Sequence, residues 1–199
     1  ISGLVQICLT DSAIKGATKE SLDTVVKTID ELITQIDDFV KLTYLPEIVY
    51  HPLLVNRVLV PLIEEIKTKC EEQKIELVKK FRPDLPMVMA DLHLLEEAFM
   101  NIIVNALEAM PAGGTLLLET DFDAEKEEVI VKFIDTGIGI PEHQKDKIFQ
   151  SFFTTKRGAK GLGLSRTRRI IDLHHGLLLV ESVENKGTTV TVRLPAVIE

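Results

Sequence analysis

Apolar positions along the chain fall into two spacings. From Thr18 to about Tyr44 they recur every three and four residues, at Leu22, Val25, Val26, Ile29, Leu32, Ile33, Ile36, Phe39 and Val40. This is the stripe of a long helix with heptad character. Thr18 suits its N-cap. Ser12 to Ala17, with Gly16, reads as the turn after the tail of an earlier helix over Ile1–Asp11. Such a stripe packs either on its own chain's core or against a second copy. Leu45-Pro46 ends the helical stretch. A second amphipathic helix is predicted over Leu53 to about Gln73, with Pro61 either kinking it or starting its main part. A third opens on Asp91 as N-cap, carries Glu97–Met110 and stops at Pro111–Gly114. The last runs from Leu164 to His174 and ends at Gly176.

The other spacing is alternation, the mark of strands. It predicts a short edge strand over Glu47–Tyr50, a strand over Ile75–Phe81 and a short extended piece at Met87–Met89 after the turn Arg82–Pro86. Leu116–Asp121 and Val129–Ile134 form a pair around the acidic turn DAEKEE, and Leu177–Ser182 and Thr188–Leu194 close a hairpin around ENKG. Hairpin strands mixed with three helices make an α+β fold, a sandwich of a mixed sheet and a helical layer. The expected organisation is a helical segment over residues 1–45 and a globular domain over 46–199.

Composition changes this picture little. With 199 residues the chain holds one or two domains. A formal net charge of −8 argues against a nucleic-acid surface, and no long basic run favours a membrane surface. No apolar run reaches the ~20 residues of a membrane span. Cys8 and Cys70 have no metal spacing, which fits a reducing, cytoplasmic setting. The first residue is Ile1, so the chain is expected to be a piece of a longer protein, of whose membrane anchoring this stretch says nothing.

The candidate chemistry sits in Asp135–Ser165, DTGIGIPEHQKDKIFQSFFTTKRGAKGLGLS. A glycine pair after a strand, Gly137 and Gly139, lets the backbone approach a flat ligand. Glycines before a helix, Gly161 and Gly163, expose amides at its positive end, where phosphate binds. One acid with two glycine clusters suggests a nucleotide, although glycine turns are also common in ordinary loops. The upstream stretch EAFMNIIVNALEAM strengthens the suggestion. Asn101 and Asn105 are spaced i, i+4 and share one helix face. Two carboxamides there either cap neighbouring strands or supply oxygen to a hard cation that travels with phosphates, which fits magnesium.

NxxxNA, DTGIGI, FxxFFTTK and GLGLS, in this order, resemble the ATP-binding domain of sensor histidine kinases, the kinase branch of the GHKL superfamily, with wording nearest the nitrogen-regulation type. The resemblance covers nearly the whole chain. It implies the Bergerat α/β sandwich, preceded by a helical hairpin from a dimerisation and phosphotransfer bundle, with ATP and Mg2+ as cofactors. In it, Asp135 accepts a hydrogen bond from the adenine amino group, Gly137 and Gly139 lie against the base, and Asn105 is the metal ligand. Asn101 lies toward the phosphates, and Glu97 either polarises a nucleophile or supports the site from outside. Lys156 neutralises the terminal phosphates. Phe149, with Phe152 and Phe153, anchors a lid. Gly161, Leu162, Gly163 and Leu164 join that lid to the last helix. Thr188 reaches the adenine pocket, unless it is a plain strand threonine. The family often reads GTGLGL where this chain has Ala159 and Lys160 ahead of Gly161. That change either stiffens the lid or adds Lys160 as a phosphate contact.

The family's acceptor histidine, in a pattern like HExxNPL, is absent. None of His51, His93, His143, His174 and His175 is followed by it, and the register places it before Ile1. All five read as structural or solvent-facing, with a partly charged imidazole favoured near the last helix's C-terminus. In the ATP-hydrolysing relatives a Glu stands at the Asn101 position to activate water, and an amide cannot act as that base. The resemblance therefore implies transfer of the γ-phosphoryl group to a histidine upstream of this chain. Relay to an aspartate of a response-regulator receiver domain would follow, in a homodimer made through the hairpin. The alternatives are a GHKL anti-sigma-type binding protein and serine kinase, which the long hairpin disfavours, and a GHKL ATPase, which Asn101 disfavours.

Overall fold

The computed structural model describes residues 21–22, 24–30, 48–156 and 160–198. The chain divides into two units, Ile1–Glu47 and Ile48–Glu199. In the first unit, 21–22 and 24–30 are helical, and Thr28 Oγ1 donates to the Thr24 carbonyl at 2.9 Å. The predicted helix tail, its turn and most of the long helix lie outside the described residues.

The second unit runs β1 (His51–Leu53), α1 (Val55–Glu72), β2 (Ile75–Phe81), β3 (Val88–Ala90), α2 (Leu92–Glu108), β4 (Gly114–Asp123), β5 (Glu128–Asp135), α3 (Glu142–Lys145), α4 (Gly163–Leu173), β6 (Leu177–Val183) and β7 (Gly187–Pro195). Five strands form one sheet in the order β2-β4-β5-β7-β6. Only β2 and β4 pair in parallel; the other neighbours are antiparallel. Helices α1, α2 and α4 make the second layer, with α1 against β2, α2 against β5 and α4 against β6. This is the expected α+β sandwich.

Periodicity explains how the layers meet. Helix α2 buries Leu94, Leu95, Ala98, Phe99, Ile102, Ile103, Ala106 and Leu107. Its Glu97, Asn101, Asn105 and Glu108 fall on the remaining face. Strand β5 turns Val129, Val131 and Phe133 toward the helices, and Phe99 meets Phe133 at 5.5 Å between ring centroids. The same parity carries Asp135, the last residue of β5, to the helix-facing side. It stands across from Leu116 on one flank and Thr188 on the other.

One expectation is corrected and one open alternative is decided. The first strand is His51–Leu53, and residues 48–50 of the predicted Glu47–Tyr50 are not part of it; Glu47 lies outside the described residues. Side chains and backbone from distant positions take up the earlier residues: Val49 N–H donates to Asp91 Oδ2 at 3.1 Å, and Tyr50 Oη donates to the Leu173 carbonyl at 2.7 Å. The ladder with β3 starts only at His51, and Pro52, lacking an N–H, suits this edge position. Second, of the structural and solvent-facing readings, His174 takes the structural one. It is buried, its Nε2 accepts from Asp91 N–H at 2.9 Å, and its Nδ1 faces the Ile170 carbonyl at 2.7 Å. One nitrogen accepts and the other faces an acceptor, so both ring nitrogens are engaged. Helix α1 runs unbroken through Pro61, which lies on its exposed side.

Gly187 opens β7 at φ +107°, and a Cβ there would run into the Asp135 carbonyl oxygen. Gly187→Ala is therefore expected to destabilise the domain by about 2 kcal/mol. A urea titration should show a lower midpoint with an unchanged slope.

Candidate active site

The site is assembled from three places: the end of β5 with its glycine loop, the open face of α2, and the start of α4. Asp135 is 6 % exposed. Its Oδ1 accepts from Gly137 N–H at 2.8 Å and Thr188 N–H at 3.3 Å. Oδ2 takes no hydrogen bond among the described residues. Burial pushes the carboxyl above its ordinary range, against the two amides and the nearby Lys156 ammonium, which pull it down. An oxygen of a buried carboxylate with no protein partner is an acceptor open to a donor from outside.

The glycine loop is pressed onto α2. Ile138 N–H donates to the Ala109 carbonyl at 3.0 Å, and a Cβ on Gly137 would come within 2.5 Å of the same oxygen. Gly139, at φ +65°, lies against Val183, so a side chain would meet that backbone. These two glycines are required by close approach on both sides of the loop.

On α2, Asn105 Oδ1 faces Lys156 Nζ at 3.5 Å, and the same ammonium is paired with Glu108. The Asn101 carboxamide has no hydrogen-bond partner among the described residues. It lies about 3.9 Å from where a Cβ on Gly163 would stand, beside the first turn of α4. Glu97 is held by Arg166 of α4 through Nε and, at 2.9 Å, through Nη2. It thus links the two helices.

The stretch between the glycine clusters contains the one-turn helix α3, which the sequence pattern did not announce. The Arg168 guanidinium lies over the Phe149 ring, 4.9 Å from the ring centroid, which ties this stretch to α4. Phe152 does not anchor through its ring, which is 62 % exposed; its backbone N–H donates to the Gly161 carbonyl at 2.9 Å. Gly161, at φ +68°, sits so close to Phe152 and Phe153 that no side chain fits. Leu162 is the N-cap position of α4, with no side-chain cap, so the helix's first amides are free of a capping oxygen. Leu164 is half-buried in that first turn, and Lys160 is exposed.

Thr188 is buried, and its Oγ1 lies 2.9 Å from Ser182 Oγ. Ser182, Glu108, Arg166 and Arg168 were missed by sequence reasoning. Ser182 carried one signal: it follows Leu178 and Val180 on the inward parity of β6, where a polar side chain needs a partner.

The residues suit a hard cation held mostly by phosphate and water. Among the described residues no three His, Cys, Asp or Glu side chains could cage a metal. Asn105 Oδ1 already faces a cationic group, the Lys156 ammonium. A single amide oxygen next to phosphates fits Mg2+, which keeps most of its waters.

A buried acceptor, a glycine loop, an amide pair and an uncapped helix N-terminus together define a nucleotide-binding fold of the Bergerat type. The chain belongs to the family of histidine kinase-, DNA gyrase B-, and HSP90-like ATPases, which matches residues 90–198. Among its relatives, the adaptive-response sensory kinase SasA of Rippkaea orientalis is 32 % identical over 174 residues, 85 % of this chain and 44 % of SasA. The signal transduction histidine-protein kinase AtoS of Escherichia coli is 29 % identical over 98 % of this chain and 32 % of AtoS. The chain thus spans less than half the length of either relative. The nucleotide-free catalytic domain of histidine kinase ThkA superposes with a TM-score of 0.68 at 29 % identity, covering 74 % of this chain and 98 % of that domain. ThkA in complex with the response regulator protein TrrA matches with a TM-score of 0.71 at 24 % identity, over 98 % of this chain and 57 % of that one. Among the described residues no helix is long and apolar enough to cross a membrane.

Proposed function

We propose that this chain is the kinase core of a sensor histidine kinase, with residues 46–199 binding Mg-ATP and residues 1–45 forming part of a dimerisation and phosphotransfer hairpin. The observation that carries this reading is the Asp135 carboxylate, buried with one oxygen committed to backbone amides and the other open to an adenine amino group. Asn105 would hold Mg2+ with the phosphates, and Lys156 and the first amides of α4 would neutralise their charge. The ion, when bound, screens the γ-phosphoryl oxygens.

Transfer to a histidine is favoured over hydrolysis by what α2 lacks. A general base for water needs a free carboxylate near the phosphates. Asn101 is an amide, Glu97 is held by Arg166, and Glu108 is paired with Lys156. The P–O bond to the β-phosphate would break, a P–N bond to an imidazole nitrogen upstream of this chain would form, and ADP would leave. The phosphoryl group would then pass to an aspartate of a response-regulator receiver domain, a partner of the kind ThkA has in its complex with TrrA. A second copy of the hairpin would complete the four-helix bundle, in the cytoplasm.

The test uses γ-labelled ATP with magnesium, on this chain and on a version extended upstream through the acceptor helix. Acid-labile phosphoprotein on the extended chain, with little free phosphate, is the expected result. Free phosphate rising without phosphoprotein on either chain would overturn the kinase reading in favour of an ATPase.

A further inference from the structure

We infer that Ser182 is a positioning residue that sets the hydrogen-bonding polarity of the base pocket and, through it, the preference for a 6-amino over a 6-oxo purine. This deepens the proposed ATP site and rests on that reading. A serine hydroxyl has one proton and two lone pairs. Ile140 N–H donates to Ser182 Oγ at 2.8 Å, which uses one lone pair. Ser182 Oγ in turn donates to the Gly187 carbonyl at 3.0 Å; a carbonyl only accepts, so the Ser182 proton is spent there. The remaining contact, to Thr188 Oγ1 at 2.9 Å, is then filled by the Thr188 proton. Thr188 is left with lone pairs only.

Its placement makes this matter. Thr188 stands across from Asp135 in the β5–β7 register, and its backbone N–H binds Asp135 Oδ1. On these paired positions the proposed base site has two acceptors, Asp135 Oδ2 and Thr188 Oγ1, while the Gly137 and Thr188 amides are already committed to Asp135 Oδ1. A 6-amino group brings two hydrogens to such a site. A 6-oxo group brings lone pairs and is repelled. If Ser182 is removed, the Thr188 hydroxyl is free to turn and donate to an oxo group. Ser182 also pins the backbone of Ile140 and Gly187, so its loss has a purely structural component, which would weaken both purines alike.

The experiment measures affinities of this chain for ATP and ITP, which differ only at the 6-position edge, in the parent, S182A, S182T, T188V and S182A/T188V. Ser182→Ala should narrow the ATP-over-ITP preference about tenfold, the worth of one net hydrogen bond. Ser182→Thr should keep it, Thr188→Val should narrow it, and adding S182A to T188V should change it no further. Equal weakening of ATP and ITP in S182A would overturn the proposal and leave Ser182 a turn support. If S182A fails to fold, an unchanged ratio in T188V overturns it equally. A folded parent that binds neither nucleotide would instead bring down the ATP reading itself.

Discussion

The Asp135→Asn protein is expected to fold at least as stably as its parent and to bind ATP about 100-fold more weakly. Both parts follow from one carboxylate. Asp135 Oδ1 accepts from the Gly137 and Thr188 amides, and an asparagine oxygen can keep both bonds. Oδ2 is replaced by an NH2 group, which turns a donor toward the adenine amino group. A hydrogen bond to a charged acceptor is worth roughly 1.5–3 kcal/mol, and facing donors add to the loss; about 3 kcal/mol corresponds to ~100-fold. Isothermal titration with Mg-ATP reads this directly, and unaltered affinity would remove Asp135 from base recognition.

Stability should respond in the opposite sense. Burial raises the Asp135 carboxyl, so between the ordinary carboxylate value and the raised one the folded domain holds a proton that the unfolded chain has released. Its stabilising contribution is full below the ordinary value and is lost as pH rises through the raised one. In the nucleotide-free protein, denaturant midpoints should therefore carry a downward component across that window. The Asp135→Asn protein should lack it and be the more stable of the two at neutral pH.

How much of this was legible in the sequence depended on whether the controlling interaction was local. Helix α2 was readable because its apolar residues repeat at helical spacing, and the same spacing put Asn101 and Asn105 together on the other face. Asp135 was singled out by the glycine motif that follows it and by the family resemblance, while its place on the side of Val131 and Phe133 emerged only once β5 was seen to run through it. The parallel pairing of β2 with β4 was not readable, since α2 and β3 intervene and no turn sets the register. The Lys156–Glu108 and Arg166–Glu97 pairs join residues far apart in the chain, as does the hydroxyl contact of Ser182 with the glycine loop. The first strand was misplaced for the same reason. Val49 and Tyr50 look extended, but the Asp91 carboxylate takes the Val49 N–H that a ladder would use, and the Leu173 carbonyl holds the Tyr50 hydroxyl.

The largest loss of activity is expected from Asn105→Ala. Asn105 lies half-buried on α2, and its side chain's only polar contact among the described residues is the long one to Lys156 Nζ. Alanine is the better helix former, so the fold should be unharmed or slightly firmer. What is removed is the protein's own oxygen on the cation that screens the phosphates. Charge stabilisation by a bound ion is worth several kcal/mol in a transition state. If about 4 kcal/mol of it depends on Asn105, phosphoryl transfer to the histidine of the extended chain should fall ~1000-fold. The variant should still bind ATP through Asp135, but magnesium should no longer strengthen that binding. Asn105→Asp should recover part of the rate by restoring an oxygen, less than fully because the new charge draws Lys156 toward itself. A transfer rate for Asn105→Ala within tenfold of the parent, with the magnesium effect intact, would take Asn105 out of the metal site. Asn101 would then be the one amide on this face left to serve it.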